Sequence, residues 1–102
     1  RFYVDGILAA KPATVFCSTG TGGGMETTIT SFWNTLAHHG MTIVPLGYRA
    51  QEIRDVTVAH GGSPYGAGAM ARLEDPRGKE LELGAARTQG RVWAEIAQKQ
   101  SR

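Results

Sequence analysis

The chain has 102 residues, of which 41% are hydrophobic and 20% charged, and its formal net charge is +2. This length and composition are typical of one ordinary globular domain. The eight arginines are scattered along the chain, which argues against the clustered basic face that nucleic-acid binding requires. No apolar run approaches the roughly 20 residues of a membrane span. The single cysteine, Cys17, excludes an internal disulfide, so we expect a reducing, cytoplasmic compartment.

The first half of the chain predicts two strands joined through a helix. Residues 13–18 form a β-branched and apolar run, which indicates a strand buried on both faces. A helix is predicted from Met25, and Gly40 supplies the left-handed residue that ends it. Its apolar stripe, at positions i, i+3, i+4 and i+7, consists of Ile29, Phe32, Trp33 and Leu36. Residues 41–46 are predicted as the second strand.

The second half predicts a long insertion and a final helix. Residues 47–78 are rich in glycine and show no sustained period, so no helix or strand is predicted there; a loop this long usually serves a purpose. The final helix is predicted from Lys79. Its expected apolar face consists of Leu83, Ala86, Gly90, Trp93 and Ala97. Its expected solvated face consists of Glu80, Glu82, Arg87 and Arg91.

The order of these elements predicts an α/β fold with a parallel sheet. Strand, glycine loop, helix and strand make one βαβ unit with a right-handed crossover. Two strands and two helices do not cover both faces of a sheet, and isolated two-stranded sheets are marginal. The chain also begins at Arg1 rather than at a methionine. We therefore expect it to be the second half of a doubly wound domain.

A glycine-rich loop, residues 19–24, follows the first predicted strand and precedes the first predicted helix. Open α/β sheets bind ligands at such loops, where backbone N–H groups point outward and absent side chains let a flat or anionic ligand approach. A Walker A loop is excluded, because Gly24 is followed by Met25 and Glu26 rather than by Lys and Ser or Thr. The dinucleotide fingerprint matches only in part, since its last glycine position holds Met25. A tight turn without a ligand is the alternative, although a plain turn does not need three consecutive glycines.

Four blocks of sequence together resemble one family. They are Ser-Thr-Gly-Thr-Gly-Gly-Gly-Met-Glu-Thr-Thr-Ile at 18–29, Leu-Ala-His-His-Gly-Met at 36–41, Ile-Val-Pro-Leu-Gly-Tyr at 43–48 and Gly-Gly-Ser-Pro-Tyr-Gly at 61–66. Their content, order and spacing resemble the WrbA-type NAD(P)H:quinone oxidoreductases, which are FMN-binding flavodoxin-like proteins. The resemblance covers essentially all 102 residues and is specific as a combination of blocks, since any one block alone would not identify the family.

The resemblance implies a fold, an activity and an assembly. Residues 1–102 would be the C-terminal portion of a single flavodoxin-like domain, with the fourth and fifth strands of a 2-1-3-4-5 parallel sheet. The full protein would reduce quinones by two electrons, passing a hydride from NAD(P)H through FMN, and would assemble as a homotetramer. By the family's plan, the loops that bind the FMN phosphate and complete the ring site would belong to the other half. This chain would form one wall of the flavin site.

The resemblance also implies the site residues. The flavin-contacting loop falls on Ser18, Thr19, Gly20, Thr21, Gly22 and Gly23. The flavin-contacting histidine falls on His38, the first of an adjacent pair. The substrate-side aromatic, usually tryptophan, falls on Tyr3, where the surrounding sequence departs from the usual Gly-Leu-Trp-Ala-Ser-Gly pattern.

The remaining polar candidates have simpler explanations. His38 and His39 are in the last turn of the helix, where a cation is favoured by about 0.3–1 kcal/mol. No metal site is expected, because adjacent histidines face apart on a helix and no other short-spaced ligand pair is present. Cys17 has no identifiable partner base and is expected to pack rather than react. The rival to an enzyme is a non-catalytic fragment, or an assembly or regulatory module, without a complete flavin site.

Overall fold

The computed structural model describes residues 6–100, which form an α/β structure of short parallel strands and two α-helices. The strands are β1 (Pro12–Ala13), β2 (Cys17–Thr19), β3 (Thr42–Ile43) and β4 (Gly68–Met70), the helices are α1 (Met25–His38) and α2 (Pro76–Gln100), and a 3-10 helix spans Gln51–Arg54. Two two-stranded parallel sheets result, one from β1 and β3 and the other from β2 and β4. The α/β class and the parallel pairing expected from the sequence are confirmed. The doubly wound flavodoxin-like sheet remains a prediction.

The strand predicted over residues 13–18 is interrupted. Its start, β1, pairs with β3, and its end, β2, pairs with β4. Between them, the side chain of Gln89 bonds the segment: its Nε2 donates to Thr14 Oγ1 (2.8 Å) and to the Val15 carbonyl oxygen (2.9 Å). The prediction of one continuous strand is therefore wrong, because a buried side chain from α2 bonds the middle of the segment instead of a neighbouring strand.

The second predicted strand is shorter than expected. The sequence predicts a strand over residues 41–46, whereas β3 contains only Thr42 and Ile43. Pro45 has no N–H to donate to a ladder, which limits the pairing at this end. Val44 and Leu46 are nevertheless buried, so the apolar run contributes to the core beyond the end of the strand.

The prediction that residues 47–78 form no regular element is wrong. The segment contains the 3-10 helix and β4, and β4 pairs in register with β2 from Cys17 opposite Gly68 to Thr19 opposite Met70. Three residues of mostly small side chains carry no recognisable period. The strand forms because its backbone pairs with a segment about fifty residues away in sequence, which composition does not report.

Helix α1 closely follows its prediction. It ends in a Schellman motif, in which Gly40 N–H donates to the Ala37 oxygen (2.9 Å) and Met41 N–H to the Leu36 oxygen (3.1 Å), with Gly40 at φ +75°. Of the predicted stripe, Ile29 and Leu36 are buried. Phe32 is 51% exposed, so the prediction that it packs with this stripe in the core is wrong.

Helix α2 begins three residues before the predicted Lys79. Asp75 precedes the helix and accepts a hydrogen bond from Arg77 N–H (2.9 Å), while Pro76 occupies the first helical position. Both are standard start signals, since an aspartate satisfies an unpaired N–H and proline has none to satisfy. The hydrogen bonds from Arg77 lower the pKa of the Asp75 carboxyl below its usual value.

The buried face of α2 differs from the predicted one. Leu83, placed on the apolar face, is 54% exposed, and Glu82, placed on the solvated face, is 8% exposed. The buried positions are Gly78, Glu82, Ala85 and Gln89. This stripe includes two polar side chains because α2 packs against loops whose backbone N–H groups need acceptors.

Candidate functional site

The glycine loop lies at the carboxyl end of the parallel pair β2–β4. It leaves β2 at Thr19 and enters α1 at Met25. Thr19 Oγ1 accepts a hydrogen bond from Gly22 N–H (2.7 Å), which folds the loop back on its strand. Gly22 and Gly24 have φ values of +99° and +78°, a region that favours glycine. The sequence prediction of a loop joining strand to helix at this edge is confirmed.

The surface of this loop is open. A Cβ built on Gly20 or on Gly23 would meet no heavy atom within 4 Å, and Ser18 and Thr21 are exposed. By contrast, a Cβ on Gly22 would lie 3.0 Å from Met70 Sδ, and its φ of +99° disfavours any residue with a side chain. The loop therefore offers an exposed surface with little side-chain bulk, on which a flat ligand could approach the backbone.

The segment after β4 forms the other side of the candidate site. Ala71 N–H donates to the Thr19 oxygen (2.6 Å), and Arg72 N–H donates to the Gly20 oxygen (3.0 Å). These bonds hold the exposed Arg72 beside the glycine loop. Residues 70–72 are not among the site residues expected from the sequence, because their place depends on β4. Gly68 to Met70 carry no recognisable period, so the sequence offers no clear signal for this segment.

Buried polar side chains of α2 hold this second side in place. Glu82 Oε2 accepts hydrogen bonds from Gly61 N–H (2.7 Å) and Met70 N–H (2.9 Å). Gln89 Oε1 accepts one from Ala67 N–H (2.5 Å). The residue before β4 and the last residue of β4 are thus bonded to α2. These residues position the site and do not touch the open surface of the loop.

His38 is not close to the glycine loop in this chain. It is the last residue of α1, whereas the loop precedes the first. A helix of 14 residues separates them by about 20 Å at 1.5 Å per residue. His39 follows as the helix cap, and the two imidazole rings are 6.3 Å apart. Within one copy the structure brings together the six loop residues but not His38. Tyr3, the predicted substrate-side aromatic, lies outside the described residues.

The side chains of Cys17 and His60 form hydrogen bonds to nearby backbone oxygens. The Cys17 thiol donates to the Met25 oxygen (3.6 Å), and burial raises its pKa, which keeps the thiol protonated and poorly nucleophilic at neutral pH. The two ring nitrogens of His60 lie 2.7 Å from the Asp55 oxygen and 2.8 Å from the Gly61 oxygen. Within residues 6–100 no group of three or more His, Cys, Asp or Glu side chains could hold a metal ion.

Aromatic side chains from α1 and the insertion meet on the surface. The rings of Trp33 and Tyr65 pack edge to face with centroids 5.6 Å apart. Tyr65 is 36% exposed. This contact holds the Ser63–Gly66 turn, which is closed by paired backbone hydrogen bonds, against α1.

No family model matches the chain. None of the helices in the described part of the chain is long and apolar enough to cross a membrane.

Proposed function

We propose that this chain forms one wall of the FMN site of a flavodoxin-like NAD(P)H:quinone oxidoreductase found in the cytoplasm. The observation that carries the proposal is the open glycine loop at the carboxyl end of β2, where Gly20 and Gly23 have no neighbouring atom within 4 Å of a built Cβ. Ligands of open α/β sheets bind at this edge, and a planar ring needs such a surface free of side chains. The resemblance of the four motif blocks to FMN-binding oxidoreductases supports FMN as the ligand.

The residues of this chain would bind and orient the cofactor. Bound FMN supplies the redox chemistry, accepting a hydride from NAD(P)H and delivering two electrons to a quinone. Residues 18–23 would face the ring through backbone groups, and β4 would keep the loop in shape through its bonds to Thr19 and Gly20. No acid or base from the protein is required for hydride transfer, so the chain's part is positioning and electrostatics.

The position of His38 fits this proposal only in an oligomer. A ring held at the loop of one copy is about 20 Å of helix away from the His38 of the same copy. We therefore propose that the histidine reaches the ring from a neighbouring copy of the homotetramer. The exposed Phe32 and the Trp33–Tyr65 contact provide α1 with an aromatic surface suited to such an interface.

A substitution at Gly23 tests the loop. We expect Gly23→Val, in the protein that carries this chain, to weaken FMN binding at least tenfold, because its branched side chain would occupy the space of the ring while touching nothing in the fold. Gly90→Val is the control, since Gly90 also has no neighbour within 4 Å but lies on α2. Fluorescence titration with FMN gives both dissociation constants, and an unchanged value for Gly23→Val would show that the ring does not lie there.

The visible absorption spectrum of the purified protein tests the proposal as a whole. The purified protein should be yellow, be bleached by NADPH and recover with benzoquinone. A colourless protein that does not take up added FMN would reject the oxidoreductase and favour the assembly or regulatory module.

Replacement of His38 tests the contribution from a neighbouring copy. A charge-assisted hydrogen bond to the ring is worth about 1.5–3 kcal/mol, and roughly 1.4 kcal/mol corresponds to 30 mV for two electrons. We expect His38→Ala to lower the flavin midpoint potential by some tens of millivolts in the assembled protein and to leave it unchanged in dissociated subunits. His39→Ala is the control. Equal shifts in the two variants would mean that His38 has no particular contact with the ring.

A further inference from the structure

Arg72 is an exposed cation that the fold fixes at the glycine loop. Its N–H donates to the Gly20 oxygen (3.0 Å), and the preceding Ala71 N–H donates to the Thr19 oxygen (2.6 Å). These bonds continue the β2–β4 pairing past its last residues. The long side chain therefore starts at the edge of the surface on which a ligand would lie.

The charge of Arg72 is not neutralised by the acidic residues that follow it in the chain. Asp75 is paired with Arg77, whose Nη2 lies 3.2 Å from Asp75 Oδ2. Glu74 is exposed, and across residues 6–100 no salt bridge joins Arg72 to a carboxylate. On the α1 side of the loop the acidic group is Glu26, also exposed. Arg72 is thus available to an incoming anion.

We propose that Arg72 selects the phosphate-bearing reductant, by binding the pyrophosphate of NAD(P)H next to the glycine loop. This rests on the proposed function. The two substrates of that reaction differ in charge, because NAD(P)H carries phosphates and a quinone is neutral. A guanidinium attracts phosphate through charge and paired N–H donors, whereas a neutral quinone offers it no charge to pair with. Arg72 therefore favours the nucleotide without slowing the entry of the quinone.

The phosphate of FMN is the other phosphate ester that this guanidinium could meet, and the test separates the two. In the FMN-loaded protein we expect Arg72→Gln to raise the dissociation constant of NADP⁺, measured by flavin fluorescence, about tenfold at low salt. The KM for NAD(P)H should rise similarly, while the KM for benzoquinone and the dissociation constant of FMN stay unchanged. The difference between variant and parent should shrink at about 0.5 M KCl, where exposed charges are screened.

Arg91→Gln is the matched control. Arg91 is also exposed and lies on α2 near Trp93, whose Nε1 donates to the Pro12 oxygen at the start of β1, away from the loop. It should change none of these constants. An unchanged NADP⁺ dissociation constant in Arg72→Gln would overturn the proposal, as would weakened FMN binding without a nucleotide effect. A parent protein that binds no FMN would instead reject the proposed function itself.

Discussion

Replacing Gly66 with alanine should abolish the folded state. Gly66 is buried, and a Cβ there would collide with the carbonyl oxygen of Val15 and lie 3.1 Å from Ile29 Cδ1. The first is a backbone atom on the segment between β1 and β2, and the second belongs to the most deeply buried side chain of α1, so neither can move freely. Overpacking usually costs about 1–3 kcal/mol where the neighbours can shift, and this contact costs more because the Val15 oxygen is a backbone atom. Because few large side chains are fully buried in the described chain, we expect this loss to exceed the available stability.

The measurement is the helical circular dichroism signal, with amide hydrogen exchange of α1 as a second readout. Gly20→Ala is the matched control, because its Cβ would meet nothing within 4 Å. A Gly66→Ala protein that keeps the helical signal and the protection of the parent would contradict the close packing of this turn against residues 15 and 29.

Removing the buried carboxylate of Glu82 should produce the second largest loss. Glu82→Ala would leave the N–H groups of Gly61 and Met70 without their acceptor. A buried donor left unsatisfied costs about 1–3 kcal/mol, so we expect a loss of about 3 kcal/mol in the free energy of unfolding. The urea midpoint of the protein that carries this chain measures it.

Two further variants identify the cause of that loss. Glu80→Ala, exposed on the same helix, should change stability by less than about 0.5 kcal/mol. Glu82→Gln retains an acceptor oxygen and should lose less than Glu82→Ala. If Glu82→Gln were as destabilising as Glu82→Ala, the charge rather than the two hydrogen bonds would matter.

The sequence predicts best those helix ends and loops that are determined by residues close to one another in the chain. The start and end of α1 follow from a change of period after the glycines and from Gly40, and its Schellman motif needs only residues within one turn. The glycine loop between strand and helix can likewise be recognised from its own residues. The same reasoning could have placed the start of α2 at Pro76, since Asp75 and Pro76 are a recognised pair of start signals.

The errors arose where distant residues decide the structure. Leu83 is hydrophobic yet half-exposed, and Glu82 is charged yet buried, because Glu82 meets backbone donors at positions 61 and 70 that composition cannot reveal. The interruption of the first strand has a similar origin, since Gln89 bonds Thr14 and Val15 from across the fold. In the candidate site, the loop residues were predicted and the segment carrying Arg72 was not, because its place depends on β4.

The pairing of β2 with β4 also has a consequence for the order of folding. The two strands are about fifty residues apart in sequence, and closing so long a loop is entropically slow compared with forming a helix. Helix α1 and its caps can form early, whereas the second side of the glycine loop exists only once this late contact is made. A ligand held between the two sides would bind only the closed form, and so would slow amide exchange at Ala71 and Arg72 more than in α1. Ligand binding and the pairing of β2 with β4 would then be coupled, so that each would favour the other.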